Sequence, residues 1–245
     1  MSEILVVELR RGKLGKEEQL LVDMANELGI EVQTTYEKVV SRNQFAFNEN
    51  HIVAGGVQFI KHALRAYGKE LPVENSYPEC LHKYLKREVR KVRTLREAKA
   101  MLDEGRTLFI KPCNIKRFTG FVTCDRNDFR FNGASDQTPV WISEPVQFDS
   151  EWRCYVANGI IVGVEFTDNS GMISVKPHVG VIYDAVRILT ENGGHAGYAI
   201  DFGVLKNGQT VLVELNDGFS IGAYGDIDPE AYWEVIRQRW KEMIR

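Results

Sequence analysis

Near its C-terminus the chain carries two apolar runs, Tyr198-Ala-Ile-Asp-Phe-Gly-Val-Leu205 and Thr210-Val-Leu-Val-Glu-Leu-Asn216, joined by Lys206-Asn-Gly-Gln209. They read as a β-hairpin with polar residues set into it. Alternation along the strands leaves Asp201, Glu214 and Asn216 among Val, Leu, Ile and Phe. Carboxylates in such a setting are unfavourable unless cations or hydrogen-bond donors meet them. Glu214 and Asn216 lie two residues apart and share one strand face, and a hairpin brings Asp201 beside them. Three oxygen-bearing side chains on one sheet face suit Mg²⁺, which prefers oxygen ligands and often shares them with phosphates.

Several alternatives are excluded by what the rest of the chain lacks. Net charge is −3 over 245 residues, so no global basic field argues for nucleic acid. No apolar stretch approaches the ~18 residues of a membrane span, and Ile4-Leu-Val-Val7 is too short for the apolar region of a signal peptide. A cytoplasmic location is the expectation. Cys80, Cys113, Cys124 and Cys154 form no C-x-x-C element and read as reduced thiols. The five histidines show no H-x-x-x-H spacing, and neither a G-x-S-x-G elbow nor a Walker-type glycine loop is present.

The first part of the chain alternates strand and helix patterns. Strands are expected at 3–8, 30–35 and 52–56, with helices at 17–28 and 57–67 ended by Gly29 and Gly68. Such alternation predicts a parallel sheet with helices on its faces. Leu71 to Pro78, with two prolines, reads as a linker. From Leu81 to Glu104 the pattern is helical, interrupted near Val92-Arg-Thr-Leu95, where Thr94 and Glu97 form a capping-box signature. Five strands follow, the last two joined by Asn158-Gly159, a type I′ hairpin signal. Asp228-Pro229 opens a final amphipathic helix.

Other residues carry candidate chemistry. Lys111 ends an apolar strand just before Pro112 and is a point charge suited to phosphate, with Lys116 and Arg117 in the loop beyond. Ser143-Glu-Pro-Val146 reads as a sharp connector, where the Glu144 carbonyl and the Val146 N–H are placed to meet a planar ring. Arg153, inside a strand, needs an anion: an internal carboxylate such as Glu151 or Glu165, or a bound phosphate. Between Lys83 and Lys99 eight basic residues face two acids, either a solvated helix face or a polyanion surface.

In this order the pieces resemble the ATP-grasp superfamily of carboxylate-amine ligases, through Phe109-Ile-Lys-Pro112, Ser143-Glu-Pro-Val146, Glu151-Trp-Arg153 and Asp201…Glu214-x-Asn216. Lys111, Lys116 and Arg153 look like the two lysines and one arginine of a compact clade within it. The resemblance implies a mixed α/β and α+β fold: a small Rossmann-like pre-grasp domain at 1–78, then a two-lobed ATP-grasp module at 79–245, with lobe one about 79–143 and lobe two about 144–245.

The resemblance also implies roles. Lys111 and Lys116 would hold the α- and β-phosphates of ATP, Glu144 and Val146 would frame adenine, and Arg153 would meet the γ-phosphate or an acyl phosphate. Arg153 and Lys116 are the catalytic candidates, and Asp201, Glu214 and Asn216 the Mg²⁺ ligands. The implied reaction joins a small-molecule carboxylate to an amine. A nucleotide-binding regulatory or interaction protein without turnover, and a nucleic-acid-modifying ATP-grasp enzyme, are the alternatives. After Asn216 the chain reads Asp217-Gly-Phe-Ser-Ile-Gly222 rather than the proline-glycine ending of larger relatives. Asp217, Ser220 and Tyr224 are the residues expected to line the acceptor pocket.

Overall fold

Short β-branched runs bounded by glycine or charged residues make the first sheet. In the computed structural model, which describes residues 2–113, 118–167 and 174–245, β1 (Ile4–Leu9) lies between β2 (Glu31–Tyr36) and β3 (His51–Ala54), all parallel. Helices α1 (Lys16–Glu27), α2 (Glu37–Ser41) and α3 (Val57–Ala66) connect and flank these strands. The alternation legible in the sequence is therefore realised, with the short α2 as an addition.

A 3-10 turn at Glu79–Tyr84 leads into a four-stranded antiparallel sheet of order β4-β7-β5-β6: β4 (Val89–Val92), β5 (Leu108–Pro112), β6 (Phe121–Thr123) and β7 (Val140–Ser143). Helix α4 (Leu95–Asp103) packs on it. The Thr94 hydroxyl accepts the Glu97 N–H at 3.2 Å, as the capping signature predicts. The helical expectation over 81–104 fails at β4. Pairing with β7 gives those residues partners for their backbone groups, and a weak local preference yields to that tertiary gain.

The second antiparallel sheet has the order β11-β10-β8-β9: β8 (Phe148–Ala157), β9 (Ile160–Phe166), β10 (Gly197–Leu205) and β11 (Thr210–Asp217). Asn158 and Gly159 both take positive φ, 49° and 76°, and close the β8–β9 hairpin. Helix α5 (Val179–Glu191), absent from the sequence expectation, buries Ile182, Ala185, Val186 and Leu189 at helical spacing. Helix α6 (Pro229–Ile244) is capped by the Asp228 carboxylate, which accepts the Ala231 N–H at 2.8 Å.

Three apolar cores result. The first joins β1, β3, α1 and α3 to α6 and to Tyr155, Ala157 and Ala199. The second sets α5 and the 3-10 turn against Cys154, Val156, Tyr198, Ile200 and Phe202. The third lies under α4. Strand β10 has α6 on one face and α5 on the other, so eight of its nine residues are buried. Among the described residues no helix is long and apolar enough to cross a membrane.

Candidate active site

The β10–β11 pairing sets Asp201 opposite Glu214 and Ala199 opposite Asn216, with a register shift just after Asp201. The next strand over, β8, places Arg153 directly across from Asp201. Residues facing each other in an antiparallel pair share a sheet face. Arg153 forks onto the carboxylate, Nε donating to Oδ1 at 2.8 Å and Nη2 to Oδ2 at 2.7 Å. Asn216 Nδ2 adds a third donor to Oδ2 at 2.9 Å. Asp201 is only 1 % exposed and depends on these partners.

Lys111 arrives from the other four-stranded sheet. Its Nζ donates to Glu214 Oε2 at 2.6 Å and to Ser76 Oγ at 3.0 Å, and it lies 5.5 Å from the Tyr77 ring centroid. Gly120 makes this possible: a Cβ there would come within 2.8 Å of Lys111 Cβ and 2.6 Å of the Phe109 ring. The structure thus brings Lys111, Arg153, Asp201, Glu214 and Asn216 together, as expected from the sequence.

Burial is the largest influence on each charged member. Burial works against the Lys111 ammonium, yet Glu214 outweighs it and the pKa ends above its ordinary value. Burial raises Glu214, but Lys111 and then Arg153 bring it below the usual carboxylate range. At Asp201 burial prevails over Arg153 and the carboxyl is raised. Glu151 stands two residues before Arg153 on the same strand face. Burial, then the charges of Asp201 and Glu214, push it up to about 7.

Other expected residues fall as follows. Lys116 lies outside the described residues. The Glu144 N–H donates to Glu88 O at 3.3 Å, its carboxylate accepts the Glu88 N–H at 3.0 Å, and its carbonyl accepts the Ser143 hydroxyl at 3.0 Å. The connector is therefore tied to the segment before β4. Val146 is half-buried just beyond Pro145. Arg153 takes neither Glu151 nor Glu165 but Asp201; Glu165 instead accepts the Asp226 N–H at 3.2 Å.

Two expectations need correction. Asp217 does not line a pocket: Arg239 holds it by two bonds of 2.5 Å, and both side chains are buried. Nor is the basic 83–99 tract one helix face, since it runs through a 3-10 turn, β4 and α4. Lys83 pairs with Asp184 and Lys99 with Asp136. Arg87 turns inward, donating to the carbonyls of Leu212 at 2.7 Å and Val213 at 2.9 Å.

Sequence reasoning missed Ser76, Tyr77 and Arg87 as neighbours of this cluster, and saw Glu151 only as a partner for Arg153. The first two sit in the stretch read as a linker, where no periodicity marks a contact. Asp201, Glu214 and Asn216 offer oxygen donors of the kind hard divalent ions take, and each carboxylate is met by a side-chain cation.

The family model of the ATP-grasp domain, family 2 of the clade named for its one arginine and two lysines, matches residues 84–235. No protein of curated function matches the chain in sequence. Among solved structures, N5-carboxyaminoimidazole synthase from Aspergillus clavatus, in complex with ADP and 5-aminoimidazole ribonucleotide, is similar over 99 % of this chain and 77 % of its own, with a TM-score of 0.62 and 14 % identity. A RimK domain ATP-grasp protein from Sphaerobacter thermophilus is similar over 99 % of both chains, with a TM-score of 0.56 and 14 % identity. The macrocyclase MdnC from Microcystis aeruginosa, bound with precursor peptide MdnA, is similar over 94 % of this chain and 97 % of its own, with a TM-score of 0.54 and 11 % identity. At these identities the likeness is one of fold.

Proposed function

Because the chain belongs to the ATP-grasp domains, in family 2 of the arginine-and-two-lysine clade, we propose that it is an ATP- and Mg²⁺-dependent ligase that activates a carboxylate as an acyl phosphate for attack by an amine. The observation that carries this reading is the pair of interleaved ion pairs, Lys111 with Glu214 and Arg153 with Asp201, on facing elements. Two cations and two carboxylates in such an arrangement are poised to change partners. A triphosphate competes for Lys111 and Arg153, while a divalent cation competes for Asp201, Glu214 and the Asn216 amide oxygen. Both ligands together leave no charge uncompensated, which supports joint rather than separate binding.

In this reading Lys111 holds phosphate oxygens, with Lys116 as its companion from the following loop. The Glu144 carbonyl and Val146 N–H frame the adenine edge. Mg²⁺, when bound, supplies neutralisation of phosphate charge. Arg153 orients the γ-phosphate with the fork it otherwise gives Asp201. A substrate carboxylate oxygen attacks the γ-phosphorus as the bond to the β-phosphate oxygen breaks, releasing ADP. The amine nitrogen then attacks the acyl carbon, phosphate leaves with the C–O bonding pair, and the nitrogen loses a proton to give the amide. No side-chain nucleophile is needed, so Lys116 and Arg153 act by charge and position. The parallel-sheet unit serves as a Rossmann-like pre-grasp domain, and the two antiparallel sheets as the lobes that enclose nucleotide.

The test is an ADP-release screen of the full chain with Mg²⁺-ATP and pooled carboxylates and amines, with mass spectrometry of any product. ADP release that requires both co-substrates and yields an amide supports the reading. ATP binding with no turnover in any pool turns it toward a regulatory nucleotide binder.

A further inference from the structure

At the C-terminal ends of β1 and β3 a cavity of about 180 Å³ opens against the loop that follows β11, between Arg10, Glu17 and Glu18 on one side and Phe219 to Gly222 on the other. The crevice beyond the carboxyl ends of parallel strands is where α/β sheets place ligands. The lining is acidic. Its one guanidinium, Arg10, is committed to Glu8, with Nε and Nη2 donating to Oε2 at 3.0 and 2.8 Å, and reaches Glu18 Oε1 only at 3.3 Å. Gly55 and Gly56, read from sequence as structural, leave room for this pair: a Cβ on Gly56 would stand 2.7 Å from Arg10 Nη2.

Glu18 is 4 % exposed, and its Oε2 is buried with no hydrogen-bond partner. Burial raises its carboxyl above the ordinary range. A buried carboxylate oxygen without a donor, beside a cavity, is a demand for a cation or an N–H. The opposite wall leads to the candidate active site. Gly222 lines the cavity, and its carbonyl accepts the Tyr155 hydroxyl at 2.8 Å and faces Arg153 Nη1 at 3.5 Å. One residue therefore separates the acidic wall from the guanidinium proposed to hold the activated carboxyl.

We infer that this cavity receives the amine co-substrate and that Glu18, with Glu17 beside it, binds a positive charge at the far end of that molecule. The acceptor is then a small aliphatic amine with a second cationic group, a diamine or guanidino amine, whose free amino end faces Gly222 and Arg153. The attacking nitrogen must be neutral when it forms its bond, so the charge recognised by Glu18 belongs to the other end. This rests on the ligase reading above, and it names the acceptor class that reading leaves open.

The test is calorimetric titration of the full chain, with and without Mg²⁺-ATP, using 1,4-diaminobutane, agmatine and, as the acidic counterpart, 4-aminobutanoate. The expected result is binding of at least one of the two dications at least tenfold tighter than 4-aminobutanoate, with a tenfold or greater loss in Glu18→Gln. Glu17→Gln, on the more exposed neighbour, is the second variant should Glu18→Gln fail to fold, and a several-fold loss is expected there. Failure of both dications to bind, equal or tighter binding of 4-aminobutanoate, or undiminished dication affinity in the folded variants overturns the inference. Retained Mg²⁺-ATP binding alongside any of these leaves the ligase reading standing, whereas absent ATP binding alongside dication binding counts against that reading alone.

Discussion

Lys111 on one four-stranded sheet and Glu214 on the other meet through Nζ and Oε2 at 2.6 Å, which makes a single ion pair the bridge across the gap where nucleotide is proposed to lie. Both side chains are largely buried, 16 % and 24 % exposed, so the pair is poorly screened by solvent. Replacing either partner has two separable effects, one on the fold and one on the ligand.

Lys111→Ala is expected to weaken Mg²⁺-ATP binding by about tenfold to a hundredfold, the loss of one charge-assisted contact worth roughly 1.5–3 kcal/mol. It also leaves Glu214 without its cation and lowers the melting temperature. Calorimetry on the folded variant checks the first effect; unchanged nucleotide affinity with a lowered melting temperature marks the pair as structural.

Arg153→Lys keeps the charge and loses the fork. Asp201, buried and across the register, then retains fewer donors, and a stability loss of about 1–3 kcal/mol is expected, with a fall in turnover larger than the fall in nucleotide affinity. Denaturant melts and steady-state ADP release measure the two.

Glu151 sets a pH dependence. Its carboxyl, ordinarily near 4.5, is pushed up to about 7 by burial and by Asp201 and Glu214. Between those values the native protein binds a proton that the unfolded chain has released. Stability therefore falls as pH rises from about 4.5 to about 7 and levels off above, by up to about 3 kcal/mol. Metal-free melts of wild type against Glu151→Gln test this, and the variant is expected to lose that slope.

Arg239→Met supplies a contrast. It breaks the buried Arg239–Asp217 pair one residue beyond the candidate metal ligand Asn216. A loss of about 3–5 kcal/mol is expected because Asp217 is left buried and unpaired. Nucleotide affinity of the protein that remains folded is expected to change little, by the same calorimetry used for Lys111→Ala.

The adenine contact is a backbone matter, so Val146→Pro, which removes the N–H, is expected to weaken nucleotide binding about tenfold, while Val146→Ala has little effect. Equal affinities in the two variants would remove Val146 from the site.

The parts of the fold legible in the sequence were those with local signatures. The Tyr198–Asn216 hairpin announced itself because carboxylates interrupt apolar alternation, and the 94–97 and 228–229 caps because their side chains bond their own helix. What escaped notice depended on distant partners. Strand β4 reads as helix until β7 is beside it, and α5 is so rich in Val and Ile that its helical spacing is easily taken for strand. Within the candidate site the strand-borne residues were found, but Ser76 and Tyr77 approach Lys111 from a proline-flanked segment with no period to read. Asp217 was misplaced because alternation along β11 gives its face but not the presence of Arg239 on α6 behind it.

Strand β10 has a role beyond carrying Asp201. Ala199 belongs to the core shared with the parallel sheet and α6, while Tyr198, Ile200 and Phe202 belong to the one beneath α5. One strand is thus the party wall of two hydrophobic interiors, and neither can be emptied while the other stays dry. The chain is expected to melt in one step, with the N-terminal unit and the metal-ligand hairpin lost together, so damage to the remote face of α6 would be felt as disorder around Asp201.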